Sequence, residues 1–155
     1  MTIPSEYQRA SVEFERFMVS ARDAADLTTT NMAWNMVAGV LFTFRRRLSV
    51  EQGLQFAGVL PPVLRALFID GWDFRSPPLP FGSRESLTEE VKSLRRQHNF
   101  SPASSIVSVA TALRGCVDVR AFDAVLAELP AGAAEFWAVE SPAGAGSRPN
   151  GDRVA

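Results

Sequence analysis

Residues 48–72 are LSVEQGLQFAGVLPPVLRALFIDGW, and residues 117–137 are VDVRAFDAVLAELPAGAAEFW. In each stretch a polar residue suited to a helix N-cap precedes a short amphipathic run, a Leu-Pro pair follows, and a second apolar run ends at aromatic residues. Proline ends the first run and favours the start of another helix, because its fixed φ suits the first helical turn. Each stretch therefore predicts two short helices joined at a Leu-Pro turn.

The apolar pattern of the surrounding chain also occurs twice. At a shift of 69 residues the coinciding pairs include Val37 and Ile106, Val40 and Val109, Phe44 and Leu113, and Leu60 and Leu129. At a shift of 73 residues they are Phe14 and Leu87, Met18 and Val91, Ala21 and Leu94, and Ala25 and His98. Matching apolar and capping patterns indicate an internal repeat. The predicted fold is all-α, with eight helices in two pseudo-repeated four-helix units, residues 5–70 and 87–138, packed in one domain.

Local signals place the helix ends and the buried faces. One continuous first helix is predicted from Ser5, and helical spacing places Trp34, Leu54 and Trp137 in the core. The predicted N-caps are the threonines of residues 28–30, Ser49 in a capping box with Gln52, Ser86 with Glu89, Ser101 before a proline, and Asp118.

Residues 71–86 interrupt the helical pattern with three prolines and two glycines, which predicts an irregular, stiff connector. Four large apolar residues lie in it: Trp72, Phe74, Leu79 and Phe81. Either these side chains fill the seam between the two units, or they form an exposed patch that recruits a partner. Residues 139–155 contain little apolar bulk and are predicted to be a disordered tail.

Composition restricts the class of protein. The 155 residues are 46% hydrophobic and 21% charged, with a formal net charge of -1, so overall charge does not favour nucleic-acid binding. The single cysteine, Cys116, excludes an internal disulfide framework and every multi-cysteine metal site. The single histidine, His98, excludes motifs that need two. We expect neither a metal ion nor a cofactor.

The uncharged stretch from Leu27 to Phe44 is the candidate for a membrane span. Its helical part of roughly 13 residues covers about 20 Å, whereas the apolar core of a bilayer is about 30 Å thick. The stretch therefore predicts a buried core helix. The N-terminal residues lack the basic-then-apolar pattern of a secretory signal, so a cytoplasmic location is expected.

The sequence gives little support to an enzymatic function. His98 lies on the apolar stripe of its predicted helix, where a packing role is the usual one, and Cys116 follows a glycine at a helix end. The sequence contains no G-x-S-x-G, H-E-x-x-H or G-x-x-x-x-G-K-[ST] pattern. We therefore predict no catalytic residue.

Arg45, Arg46 and Arg47 form the densest cluster of charge. Three consecutive guanidiniums spread around a helix end and are able to clamp a phosphate or an acidic partner peptide. The alternative is that they complement the C-terminal helix dipole and promote solubility. Together with Trp72 and Phe74 of the connector, they are the predicted partner-binding residues.

The run of residues 48–72 with its partner, residues 117–137, resembles the bacterial domain-of-unknown-function family numbered 2267. The resemblance covers roughly residues 8–138. It implies an all-helical, duplicated domain and carries no activity and no catalytic positions to this sequence.

These observations favour a non-enzymatic interaction module that presents a helical groove or the aromatic connector to a protein partner or to a second copy of the chain. The alternative is a domain that binds a small molecule or a lipid in an apolar cavity between the two units. An enzyme would need His98 or Cys116 in a concave site with a strongly shifted pKa.

Overall fold

The computed structural model describes residues 1–94, 97, 99 and 101–140. Within these residues the chain forms nine α-helices and no β-strand, which confirms the predicted all-α class. The helices are α1 (Ser5–Gln8), α2 (Ala10–Ala24), α3 (Thr30–Arg45), α4 (Val50–Ala57), α5 (Pro62–Ile69), α6 (Arg84–Ser93), α7 (Ser105–Arg114), α8 (Val119–Glu128) and α9 (Ala133–Phe136). His98 and all but the first two residues of the predicted tail lie outside the described residues.

The structure has two helices where the sequence predicts a single helix from Ser5. Arg9 leaves the helical conformation, with φ -103° and ψ 11°, and separates α1 from α2. The apolar periodicity continues across this break, so the pattern carries no signal of it. This break accounts for the difference between eight predicted helices and nine observed ones.

Several predicted caps are confirmed, because their signals are local. The Thr29 hydroxyl accepts from the N–H of Met32 at the start of α3. Ser49 and Gln52 form the reciprocal capping box of α4. The Asp118 carboxylate accepts from two N–H groups in the first turn of α8.

The predictions for Ser86 and Ser101 are wrong. Helix α6 begins one residue after Ser83, whose hydroxyl accepts from the Ser86 N–H. Helix α7 begins at Ser105, whereas Ser101 donates from its N–H to the side-chain oxygen of Asn99. In both places neighbouring polar residues compete for the same orphan N–H groups, and the sequence does not rank them.

The central helix is α3, which packs against α2, α5, α6 and α7. It contains most of the uncharged stretch predicted to be a core helix, and Met36, Val37, Val40 and Phe44 are fully buried along it. Gly39 permits close contact with α6, because a Cβ there would lie 2.8 Å from the Val91 carbonyl oxygen. In the described part of the chain, no helix combines the length and apolarity needed to cross a bilayer.

An aromatic cluster fills the space between the N-terminal and C-terminal halves of the fold. Its members, all fully or almost fully buried, are Phe44, Phe56, Phe68, Phe122, Phe136 and Trp137. The ring centroids of Phe44 and Phe56 are 4.7 Å apart, those of Phe44 and Phe136 are 5.0 Å apart, and those of Phe56 and Trp137 are 5.6 Å apart. Such a cluster stabilises the fold through a large apolar area and favourable ring geometry. Trp137 is in the core, as predicted.

Two predicted core residues lie at the surface instead. Trp34 is 41% exposed and contacts the Phe14 ring edge-on, with centroids 6.2 Å apart. Leu54 of α4 is 60% exposed. Helical spacing identifies the apolar side of a helix. Which part of that side other helices cover depends on the tertiary fold.

Two equivalent contacts are separated by the 69-residue shift found in the sequence. Arg45 ends α3 and donates to the Phe68 carbonyl at 2.9 Å, and Arg114 ends α7 and donates to the Trp137 carbonyl at 2.9 Å. Helices α4 and α8 likewise begin 69 residues apart. The duplication and the unit boundaries stay predictions, and these contacts are consistent with them.

Candidate functional site

An open cleft of about 330 Å³ lies between the C-terminal end of α3 and the chain that follows α5. Its lining residues are Phe42, Arg45, Arg46, Leu48, Gly71, Trp72, Asp73, Ser76, Pro77 and Leu79. We call it the arginine–tryptophan cleft. It brings together residues from both predicted binding features, the arginine cluster and the aromatic connector.

Arg45 forms the inner wall of the cleft. Its Nη1 donates to the carbonyl oxygens of Phe68 at 2.9 Å and Asp70 at 2.6 Å, so the guanidinium satisfies orphan carbonyls at the end of α5. It also lies 3.9 Å from the centroid of the Phe42 ring, a cation–π distance. Burial lowers the pKa of Arg45, and the nearby Asp70 carboxylate partly opposes this effect. A guanidinium keeps its charge in such a setting.

Arg46 and Arg47 differ in burial and in hydrogen-bond partners. Arg47 is buried and donates to the Pro80 carbonyl at 3.2 Å, to the Thr43 carbonyl at 2.9 Å and to the Glu90 carboxylate. Arg46 is different, because 55% of its side chain is exposed. Its Nη1 lies 3.4 Å from the other Glu90 oxygen. Of the three predicted partner-binding arginines, Arg46 is therefore the one that lines the cleft with an exposed side chain.

Trp72 forms the opposite wall. Its ring lies against Gly53 of α4, where a Cβ would be 2.2 Å from the ring carbon Cη2, and its centroid is 6.0 Å from that of Phe68. Phe74 is 63% exposed and does not contribute to the lining. Of the two predicted connector residues, Trp72 thus lies in the cleft and Phe74 lies outside it. Their role in partner binding stays a prediction.

The connector is fastened along the end of α3. The Leu79 N–H donates to the Arg46 carbonyl at 2.9 Å, and Phe81 packs on Phe44 with centroids 6.0 Å apart. Phe81 also packs on Phe136 and so contacts both predicted units, whereas Trp72 packs on Gly53 and Phe68 of the first unit. Phe74 is exposed, and whether it recruits a partner stays a prediction.

Among the residues that line the cleft, positive charge exceeds negative charge. They carry two guanidiniums, those of Arg45 and Arg46, and one carboxylate, that of Asp73. The ionic partners of these three groups are Asp70, Glu90 and Arg75. The Asp73 carboxylate already accepts from the Arg75 N–H at 3.2 Å and the Ser76 hydroxyl at 3.3 Å. The arrangement therefore favours an anionic group in the cleft.

The family model described as "Uncharacterized conserved protein (DUF2267)" matches residues 14–136. The chain belongs to the DUF2267 family. The matched region runs from α2 to α9 and includes every residue of the arginine–tryptophan cleft. This confirms the resemblance found in the sequence. No curated protein matches the chain.

Cys116 lies elsewhere in this DUF2267 protein, at the wall of a second open cavity of about 450 Å³. Burial, and next the negative charge of Glu13, raise the pKa of the Cys116 thiol to about 11. The thiol stays protonated at neutral pH, and it donates to the Leu113 carbonyl at 3.3 Å. His98, the other candidate for chemistry, is outside the described residues. Among the residues that are described, no group of three or more His, Cys, Asp or Glu is placed to hold a metal ion.

Sequence inspection missed two residues that shape the cleft, Glu90 and Gly53. Glu90 is 43 residues from Arg47, and no local signal pairs them. Gly53 does carry a signal, because glycine inside a helix costs about 1 kcal/mol relative to alanine and often marks close packing. That signal would have identified α4 as the helix on which another group packs closely.

Proposed function

We propose that this DUF2267 protein is a non-enzymatic interaction module whose arginine–tryptophan cleft holds an acidic segment of a partner protein. The observation that carries the proposal is that Arg46 and Trp72 line one open cleft with an excess of positive charge. A guanidinium binds a carboxylate through charge-assisted hydrogen bonds, and a neighbouring indole supplies apolar contact area. Arg and Trp are also the residues enriched at the centres of protein interfaces.

The form of the cleft supports a protein segment as its occupant. Small-molecule sites are mostly apolar and enclose most of their ligand, whereas this cleft is open and has charged walls. The alternative function, a ligand held in an apolar cavity between the two units, needs empty space there. The aromatic cluster occupies that space in the described chain, with Phe56 and Trp137 at its centre.

The chemistry of the cleft supports binding without catalysis. Its lining residues include no histidine or cysteine, and its one carboxylate, Asp73, is held by hydrogen bonds. The proposal also includes a cytoplasmic location, because the protein has a single, free cysteine, which suits a reducing compartment.

The test uses two fluorescent nonapeptide libraries that differ only in a fixed central residue, Glu in one and Gln in the other. Anisotropy should show that the Glu library binds more tightly and weakens steeply with added salt. Arg46→Ala should reduce its affinity about tenfold, the effect of losing one charge-assisted contact. Arg16→Ala, at an exposed arginine of α2, is the matched control and should have little effect. The proposal would be overturned if the two libraries bound with equal affinity. It would also be overturned if the Arg46→Ala variant bound the Glu library as tightly as the wild type does.

A further inference from the structure

An apolar surface on α4 adjoins the arginine–tryptophan cleft. Val50 and Leu54 are exposed, and Leu54 has 60% of its surface in contact with solvent. Because Val50, Gly53 and Leu54 are three and four residues apart, they share one side of the helix. The Trp72 ring rests against Gly53 of the same helix. We call Val50, Leu54 and the adjoining edge of Trp72 the α4 patch.

Trp72 joins the patch to the cleft. The same indole contacts α4 through Gly53 and lines the cleft that contains Arg46. A segment that places a carboxylate beside Arg46 therefore runs next to an apolar surface. The contact between this carboxylate and Arg46 thus holds one part of the bound segment, and the α4 patch lies beside that part.

The fold does not require an apolar residue at position 54. Leu54 is the fifth residue of α4, and the fifth residue of α8 is Asp123, whose carboxylate accepts from Arg114 at 2.9 Å. The two helices meet through phenylalanines at different positions, the seventh residue of α4 and the fourth of α8, with centroids 5.7 Å apart. Because Leu54 is 60% exposed, a leucine there contributes little to folding.

We infer that the α4 patch binds an apolar side chain of the same partner segment that places its carboxylate in the cleft. The partner is then a protein segment in which an acidic residue has aliphatic or aromatic neighbours. This inference rests on the proposed function and names the chemistry of the partner. The positive charge of the cleft selects the acidic residue, and the patch gives affinity through buried apolar area.

The experiment compares two nonapeptide libraries with a central Glu. One has Leu, Ile, Val or Phe at the flanking positions, and the other has Ser, Thr, Asn or Gln. The wild-type protein should bind the apolar library about tenfold more tightly, the effect of burying one aliphatic side chain. Leu54→Ser should abolish this preference and leave binding of the polar library unchanged. Val107→Ser, at an exposed valine of α7, is the matched control and should keep the preference.

Each other outcome has a distinct meaning. If both libraries bind equally and both depend on Arg46, the inference is overturned and the proposed function stands. If neither library depends on Arg46, the proposed function is overturned, and the inference with it. Sedimentation of the protein alone supplies the last outcome. If the wild type is a dimer that Leu54→Ser dissociates, a second copy occupies the α4 patch, and the inference is overturned.

Discussion

At the scale of single residues, Gly53 sets the position of the Trp72 wall. A methyl group at this position would lie 2.2 and 2.5 Å from two carbons of the indole ring. These carbons are at the far end of a side chain at the protein surface, so the ring is able to move without disturbing the backbone. Trp72 thus forms one wall of the cleft because residue 53 of α4 has no side chain.

This gives the residue-scale prediction. Gly53→Ala should displace Trp72 and weaken binding of acidic peptides several-fold. The free energy of unfolding should change little, because alanine favours the helix by about 1 kcal/mol and offsets the lost ring contact. Urea unfolding and peptide anisotropy measure the two effects separately. Gly58→Ala, at the C-cap of the same helix and near no aromatic ring, is the control and should bind as the wild type does. If Gly53→Ala bound acidic peptides as tightly as the wild type does, peptide binding would not depend on the position of Trp72.

At the scale of helices, Glu90 joins α6 to the end of α3. Its two oxygens face Arg46 and Arg47, and Arg47 is only 7% exposed at its side chain. A guanidinium that loses its anionic partner in such a place stays desolvated without compensation. The exposed pair of Glu89 and Lys92 on the same helix, 3.7 Å apart, is a natural comparison.

We predict that Glu90→Gln lowers the free energy of unfolding by about 1.5–3 kcal/mol, the value of a hydrogen bond to a charged group. Glu89→Gln should lower it by less than about 1 kcal/mol, because exposed ion pairs contribute little. Chemical denaturation followed by circular dichroism measures both changes. Similar losses in the two variants would mean that the Glu90 contact does not stabilise the packing of α6 on α3.

Helix by helix, local chemistry located some of the predicted caps and missed those of α6 and α7. The caps at Ser49 and Asp118 depend on residues two or three positions away, and both are present. The apolar pattern carries no signal of the break at Arg9, and the exposed position of Trp34 depends on which other helices cover it, and both were missed. The sequence predicted the cleft only in part, for the same reason. Arg46 and Trp72 were recognised as separate features, but their meeting depends on the path of the connector, which no local signal describes.

At the scale of the whole molecule, the two halves of the chain pack across each other. Helix α2 packs on α7, and α3 packs on α6, so each of these contacts joins the two sequence units. The aromatic cluster also takes residues from both halves, with Phe44 next to Phe136 and Trp137. A half separated from the other would expose most of its apolar surface to water, at a cost proportional to that area.

The last prediction is therefore that the protein unfolds in a single cooperative transition, although its sequence reads as two units. Trp137 is fully buried in the shared cluster, and the double variant Trp34→Phe, Trp72→Phe leaves it as the sole indole. Its fluorescence should change at the same urea concentration as the helical circular dichroism signal, the mark of two-state unfolding. The wild-type chain provides the reference for stability. Two separate transitions would mean that each unit has a core of its own, which a shared aromatic cluster does not allow.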